Sequence, residues 1–205
     1  MSSVRPYHHG NLRQAVLDAA AAVVRDRGVS DLSLREVAAD IGVTHAAPRR
    51  YFPGRQDLLD AVAVEGFARL GARLREAIEA SPGYEKQVRS VARAYLDFAT
   101  SEANLVELMF AHKHGAGGPD VGESASAAFE PMLQMFRRGQ TEGVLPNRDP
   151  ERTGLIFLAT LQGIAGLVNC GVVPAGQLDD FISDTVAQFP SGPSSLTTQR
   201  RRGSR

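Results

Sequence analysis

The sequence predicts an all-α protein: an N-terminal three-helix unit followed by a helical-bundle body. Three observations carry that prediction. Apolar residues recur at three- and four-residue spacing in nearly every segment. No stretch shows the strict apolar–polar alternation of a half-buried strand, and no internal repeat is present. Gly and Pro interrupt the pattern at intervals that suit helices of ordinary length. The 205 residues allow one or two domains. The expected divisions are 1–57, 58–189 and a tail over 190–205.

Residues Met1 to His9 have no apolar period and read as an arm, either frayed or reaching toward nucleic acid. Asn11 is a candidate cap, and Leu12, Val16, Ala19, Ala20, Val23 and Val24 then hold a helical stripe up to Gly28. Ser33 starts a second helix, with Glu36 three residues later as a capping box. Leu34, Val37, Ala38 and Ile41 give it one buried face. Gly42 ends it where the chain must turn sharply, because glycine takes the left-handed conformation cheaply. Thr44 is the next candidate cap, and His45 to Phe52 are expected to form a helix of about two turns. Two short helices joined by a Gly-containing turn are the signature of a helix-turn-helix, whose second helix enters the major groove of DNA.

Charge follows the same division. Between Val43 and Gln56 stand Arg49, Arg50 and Arg55 with no acidic residue. Such a segment is poor core material and good material for phosphate and base-edge contact. The expected DNA contacts are Ser33, Arg35, Thr44, His45, Ala46, Arg49, Arg50, Tyr51 and Arg55. His45 and Ala46 are the candidates for base edges. Arg55, beside the N-terminus of the next helix, is the candidate for a phosphate.

The run Ser33-Leu34-Arg35-Glu36-Val37-Ala38, then Gly42-Val43-Thr44, Tyr51-Phe52 and Asp57-Leu58-Leu59, resembles the tetracycline-repressor (TetR) family. The stretches Tyr7-His8-His9-Gly10-Asn11-Leu12-Arg13 and His45-Ala46-Ala47-Pro48 are similar to its subfamily with a WHG-type C-terminal domain. The chain departs from the family pattern with Arg49 where Tyr is usual and Arg55 where Lys is usual. It has no Trp, and Gln162 precedes Gly163. The resemblance implies a DNA-binding regulator with a ligand-binding, dimerising body.

Beyond Phe52, Pro53-Gly54 ends the helix, and Gln56 or Asp57 opens a long one running to Ala80. Pro82-Gly83 breaks it. Helices are then expected over 84–100 and 101–110, with a loop over Gly115 to Gly122. The next runs over 123–143, kinked or restarted at Pro131. A turn spans Pro146 to Pro150, an apolar helix runs from Glu151 to Cys170, and a last one carries Leu178, Phe181, Ile182, Thr185 and Phe189. The tail, rich in Ser, Pro, Gly and Arg, is expected to be disordered.

Phe67, Leu70, Tyr95, Phe98, Leu108, Met109, Phe129, Met132 and Phe136 lie on helices that must face one another. Read alone they are ordinary core; the resemblance implies that some line an apolar ligand cavity. Ala159, Gly163 and Gly166 fall at i, i+4 and i+7 on the most apolar helix. That stripe serves either a buried central helix or, with Phe181, a two-fold interface; the interface is the expectation, since helix-turn-helix readers bind as dimers.

Formal net charge is zero, so global charge announces no partner. Cys170, the single cysteine, excludes an internal disulfide and suits a cytoplasmic protein. The longest apolar run, Leu155 to Val168, is interrupted by Thr160 and Gln162. It falls short of the roughly 20 residues that span a bilayer. His112-Lys113-His114 does not converge on a metal. No catalytic constellation, metal site or cofactor motif stands out. The expected function is therefore a cytoplasmic transcriptional regulator. It is read as a homodimeric repressor at an inverted-repeat operator in double-stranded DNA, released by a small apolar or aromatic effector, with no membrane association. The alternatives are a helical small-molecule-binding protein or enzyme on an inherited helix-turn-helix scaffold, and a regulator working through a partner protein alone.

Overall fold

A computed structural model describes residues 12–114, 119–146 and 149–189. The expected arm, residues 115–118 of the expected loop, and the tail lie outside the described residues, as do the side chains of His112, Lys113 and His114. Among the described residues every regular element is helical: α1 (Leu12–Arg27), α2 (Leu34–Asp40), α3 (Arg55–Glu79), α4 (Tyr84–Ser101), α5 (Ala103–His114), α6 (Pro119–Thr141), α7 (Pro150–Asn169) and α8 (Leu178–Gln188).

The N-terminal head is built from α1, α2 and the start of α3. Val16, Leu17, Ala20, Val23 and Val24 of α1 bury one stripe against Val37, Phe52, Leu58 and Leu59. The Ser33 hydroxyl accepts the Glu36 N–H at 3.4 Å, which fixes the start of α2. Gly42, at φ +72°, turns the chain. The expected two-turn helix over His45 to Phe52 is not an α-helix. It is a turn followed by one 3-10 turn, Pro48–Arg50. Pro48 has no N–H to give to Thr44, so the ladder cannot start there. The Arg50 N–H instead reaches Ala47 and the Tyr51 N–H reaches Pro48. Pro48 itself is buried and anchors the turn.

Helix α3 is the axis of the molecule. It begins in the head and runs 25 residues without a break, so the packing has no seam at residues 57 and 58. Leu58, Leu59, Val62 and Ala63 face the head, while Phe67, Leu70 and Leu74 continue into the body as one cluster. Its start is earlier than expected. Gly54 is the cap, and the Asp57 carboxylate accepts the Gly54 N–H at 2.8 Å.

Around α3 stand α4, α5 and α6, with α7 and α8 covering α4. Close approach depends on glycines that the sequence pattern does not single out. A Cβ on Gly71 would stand 2.9 Å from the Ala128 Cα of α6. One on Gly66 would meet the Met109 sulfur at 2.7 Å, and one on Gly139 the Tyr84 ring at 2.6 Å. Helix glycine ordinarily costs about 1 kcal/mol relative to Ala. Here that cost is offset by helix contact no side chain would permit. Gly71→Ala is therefore expected to lower the melting temperature, because the atom it meets is backbone; overpacking of this kind costs roughly 1–3 kcal/mol. Gly163→Ala, with nothing within 4 Å of its Cβ, is expected to hold or raise it. Paired thermal melts check this, and a higher melting temperature for Gly71→Ala would contradict the α3–α6 packing.

Helix α6 starts at Pro119, four residues ahead of expectation, and passes through Pro131 as a single element. The lost backbone hydrogen bond is outweighed by Phe129, Met132, Met135 and Phe136, all buried along the same face. Helix α5 extends past Phe110 to His114. Asp149 caps α7, its carboxylate accepting the Glu151 N–H at 2.9 Å, with Pro150 in the first turn.

Candidate nucleic-acid interface

The turn after α2 presents its polar residues outward. Thr44, His45, Ala46, Arg49 and Arg50 are exposed, as is Arg35 on the outer face of α2. Ser33 is half-buried at its cap. Tyr51 is 45 % exposed beside a fully buried Phe52, so the aromatic pair splits into one surface ring and one anchor. Arg13, which the sequence pattern gave no role, stacks its guanidinium over Phe52 at 5.4 Å and fixes α1 against the turn. Irregular backbone held from beneath by Pro48 and Phe52 carries the exposed basic and hydrogen-bonding groups, as groove contact requires.

Arg55 is placed differently from a free phosphate ligand. Its Nε donates to the Leu32 carbonyl at 2.9 Å and its Nη2 to the Val29 carbonyl. It ties the start of α3 to the turn between α1 and α2. Asp57 also sets a carboxylate at the N-terminus of α3, where it competes with any phosphate. Arg55→Ala is expected to lower head stability by about 1–2 kcal/mol, since hydrogen bonds from charged groups lie at or above the ordinary range. Arg55→Lys keeps the charge but not the fork of donors. If Arg55 is a scaffold residue, both variants weaken DNA binding and lower the melting temperature. A Lys variant that keeps full DNA affinity and an Ala variant that melts like the parent would make it a phosphate contact only.

The nine side chains expected to line a cavity are all buried, and they pack on one another. Phe67 meets Phe110 at 5.8 Å and Phe129 at 6.3 Å, both edge to face. Phe136 meets Tyr84 and Phe157 likewise, at 6.5 and 5.4 Å. Two arginines of α3 cover Phe98: Arg73 at 5.2 Å and Arg69 at 5.8 Å. Leu70, Leu108, Met109 and Met132 fill the spaces between. Tyr95 also borders an open cleft. Burial pushes its phenol pKa well up, and the neighbouring Gln162 side chain draws it partly back.

The small-residue stripe of α7 is on the surface. Ala159, Gly163 and Gly166 are exposed, with Leu155 (66 %), Ile156 (53 %), Leu167 (42 %) and Val172 (68 %) around them. The opposite face of α7, from Phe157 through Ala165, is buried against the body. Phe181 is half-buried and packs on the core. The outward positions of α8 include Asp179, Asp180 and Asp184. Among the described residues no three His, Cys, Asp or Glu side chains converge as metal ligands. No described helix is long and apolar enough to cross a membrane.

An exposed basic turn on a helical head, joined by one continuous helix to an all-helical body, is the architecture of a DNA-binding regulator. The comparisons agree. Residues 16–62 match the family model for bacterial regulatory proteins of the tetR family, and residues 88–189 match the tetracyclin repressor-like C-terminal domain. The chain belongs to the TetR family and is a DNA-binding transcriptional regulator. It is 27 % identical to the HTH-type transcriptional repressor LfrR of Mycolicibacterium smegmatis over 73 % of this chain and 75 % of that one. It is 26 % identical to the nucleoid occlusion factor SlmA of Pasteurella multocida, over 49 % of this chain and about half (51 %) of SlmA. A solved protein of unknown function from Rhodococcus sp. RHA1 is 34 % identical, with a TM-score of 0.83 over 91 % of this chain and 97 % of that one. A putative TetR-family regulator from Rhodococcus sp. shares the fold at 18 % identity, with a TM-score of 0.67 over 86 % and 95 %.

Proposed function

We propose that this regulator is a homodimeric repressor that binds an inverted repeat and leaves it when a small aromatic or otherwise apolar molecule binds the body. The observation that carries the reading is the unbroken α3. It holds Arg55 and the head at one end, and α4, α5 and α6 pack along the rest. Any shift of the body against α3 moves the exposed turn. Two such heads on a dimer bind two half-sites only at one spacing. A ligand that prefers another arrangement shifts the population away from DNA. To take the protein from 99 % competent to 1 %, that preference must reach roughly 5.5 kcal/mol. The LfrR similarity supports repression rather than activation.

The test is selection from random duplex at fixed salt, followed by titration. An enriched inverted repeat is expected, and Arg50→Ala should lower the logarithmic salt slope by about 0.9 if it holds one phosphate. Changing His45 should alter which sequence is enriched. A pool that yields no repeat contradicts the proposal.

A further inference from the structure

The turn that carries the DNA-facing groups has little to hold it from within. It is one 3-10 turn, Pro48–Arg50, and a single such turn fixes its own backbone weakly. Its closure runs through one atom. The Pro48 carbonyl accepts both the Tyr51 N–H and the Phe52 N–H, each at 3.0 Å. The Phe52 backbone is therefore part of the turn, while its ring is 2 % exposed in the head core. Whatever fixes that ring also fixes the placement of Arg49, Arg50 and Tyr51.

Arg13 reaches that ring from the first turn of α1, its guanidinium 5.4 Å from the Phe52 centroid. Arg13 is itself exposed. An exposed arginine beside a DNA-reading turn has two uses: it can hold a phosphate, or it can hold the turn. Its surroundings separate the two. Arg13 and Tyr51 line a groove of about 660 Å³ between the head and the start of α6. Among the described residues Arg13 is the one cation on that groove, against Asp57, Asp60, Glu65 and Asp120. A phosphate approaching it would meet four carboxylates for one guanidinium. The same carboxylates attract the guanidinium and keep it at the groove, over the ring.

We infer that Arg13 is a positioning residue for sequence reading: it holds the recognition turn through Phe52 and touches no DNA. The inference requires only that the chain bind DNA and tell sequences apart. It needs neither the dimer nor the effector proposed above. A displaced turn carries base-edge groups off their bases, while phosphate contacts are the same on every sequence. The loss therefore falls on discrimination between sequences. A cation–π contact at an exposed site bounds that loss at about two- to fivefold.

Arg13→Met on the full chain tests this, since Met suits a helix and keeps an apolar stem without the charge. Affinity is measured over a salt series for the duplex enriched by selection and for a random duplex. Backbone amide resonances of Arg49, Arg50 and Tyr51 are followed in the free protein. The ratio of the two affinities is expected to fall about two- to fivefold. The salt slope on random duplex stays parental, and the three resonances shift. In a Phe52→Leu background Arg13→Met should lower the ratio no further, because the ring it acts through is gone. If Phe52→Leu does not fold, the ratio and the slope in Arg13→Met decide. A slope lowered by about 0.9, with equal loss on both duplexes, makes Arg13 a phosphate contact and overturns the inference. An unchanged ratio, or turn resonances that stay in place, overturns it as well. If selection enriches no sequence, the inverted-repeat reading fails by itself, and the slope on random duplex and the turn resonances decide Arg13.

Discussion

Gly163→Leu is expected to leave each protomer folded and to take the proposed dimer apart. Within one chain the substitution meets nothing: a Cβ at Gly163 has no heavy atom within 4 Å, and the residue is exposed. Helix propensity favours Leu over Gly by close to 1 kcal/mol, so the protomer gains rather than loses. A second copy, by contrast, would see a new isobutyl group at the centre of its contact. Leu155, Ile156, Leu167 and Val172 are large apolar groups left in water by the single chain. Three of them lie on α7 and Val172 follows its end, and together they form the kind of patch that a partner covers. The Ala159–Gly163–Gly166 stripe between them lets two copies of α7 approach backbone to backbone, as in a two-fold four-helix contact. Separating the copies converts bivalent operator binding to binding of one half-site, a loss on the order of 10²–10⁴ in affinity.

Sedimentation and operator titration check the two halves of this result. A monomer that still melts cooperatively, with operator affinity reduced by at least a hundredfold, is expected. A variant that remains dimeric with parental affinity would remove α7 from the interface. Phe181 is partly buried against the core, so it is expected to add less to the proposed interface than the exposed residues of α7. Phe181→Ala should therefore act on stability as much as on assembly.

Helix periodicity made the body legible. The stripe through Val88, Val91, Tyr95 and Phe98 is the face of α4 that the structure buries. Periodicity alone does not distinguish a buried apolar helix from one with an uncovered apolar face; the exposure of Leu155, Ile156 and Leu167 in the single chain does. The helix expected after Gly42 fails at one residue. Pro48 sits where a helix must still donate an N–H, and the chain takes a 3-10 turn instead. Arg55 was legible as basic but not as a donor to carbonyls 23 and 26 residues away. Nothing in the sequence pattern singles out Gly66, Gly71 and Gly139, because the atoms they make room for belong to residues distant in sequence.

Arg69→Met is expected to destabilise the body by about 3 kcal/mol and to weaken the hold of α3 on the α4–α5 corner. Arg69 forms an ion pair with Glu102, whose side chain is 8 % exposed against 35 % for Arg69. Glu102 ends α4 and also begins α5, since its carbonyl accepts the Val106 N–H at 3.0 Å. Removing the arginine strands a carboxylate in a site with little water. Breaking a buried pair this way costs roughly 3–5 kcal/mol, and the partial exposure of Arg69 places it at the low end. For a chain of this size that is a fall of roughly 6–12 °C in melting temperature. Arg69 also covers Phe98, so part of the loss is packing, which Met largely replaces. Glu102→Gln keeps the shape and leaves an exposed-side arginine instead, and should cost less. The double variant Arg69→Met, Glu102→Gln should recover part of the single loss, because no charge is then stranded. The consequence for DNA follows from position: α3 carries Arg55 at its start, and α5 holds α1 through Asn104, so the pair and the Asn104 bond brace the head from two sides. Operator affinity measured well below the melting transition should fall in Arg69→Met and return partly in the double variant. Losses that simply add in the double variant would show that the two side chains act independently and that the corner is not a clamp.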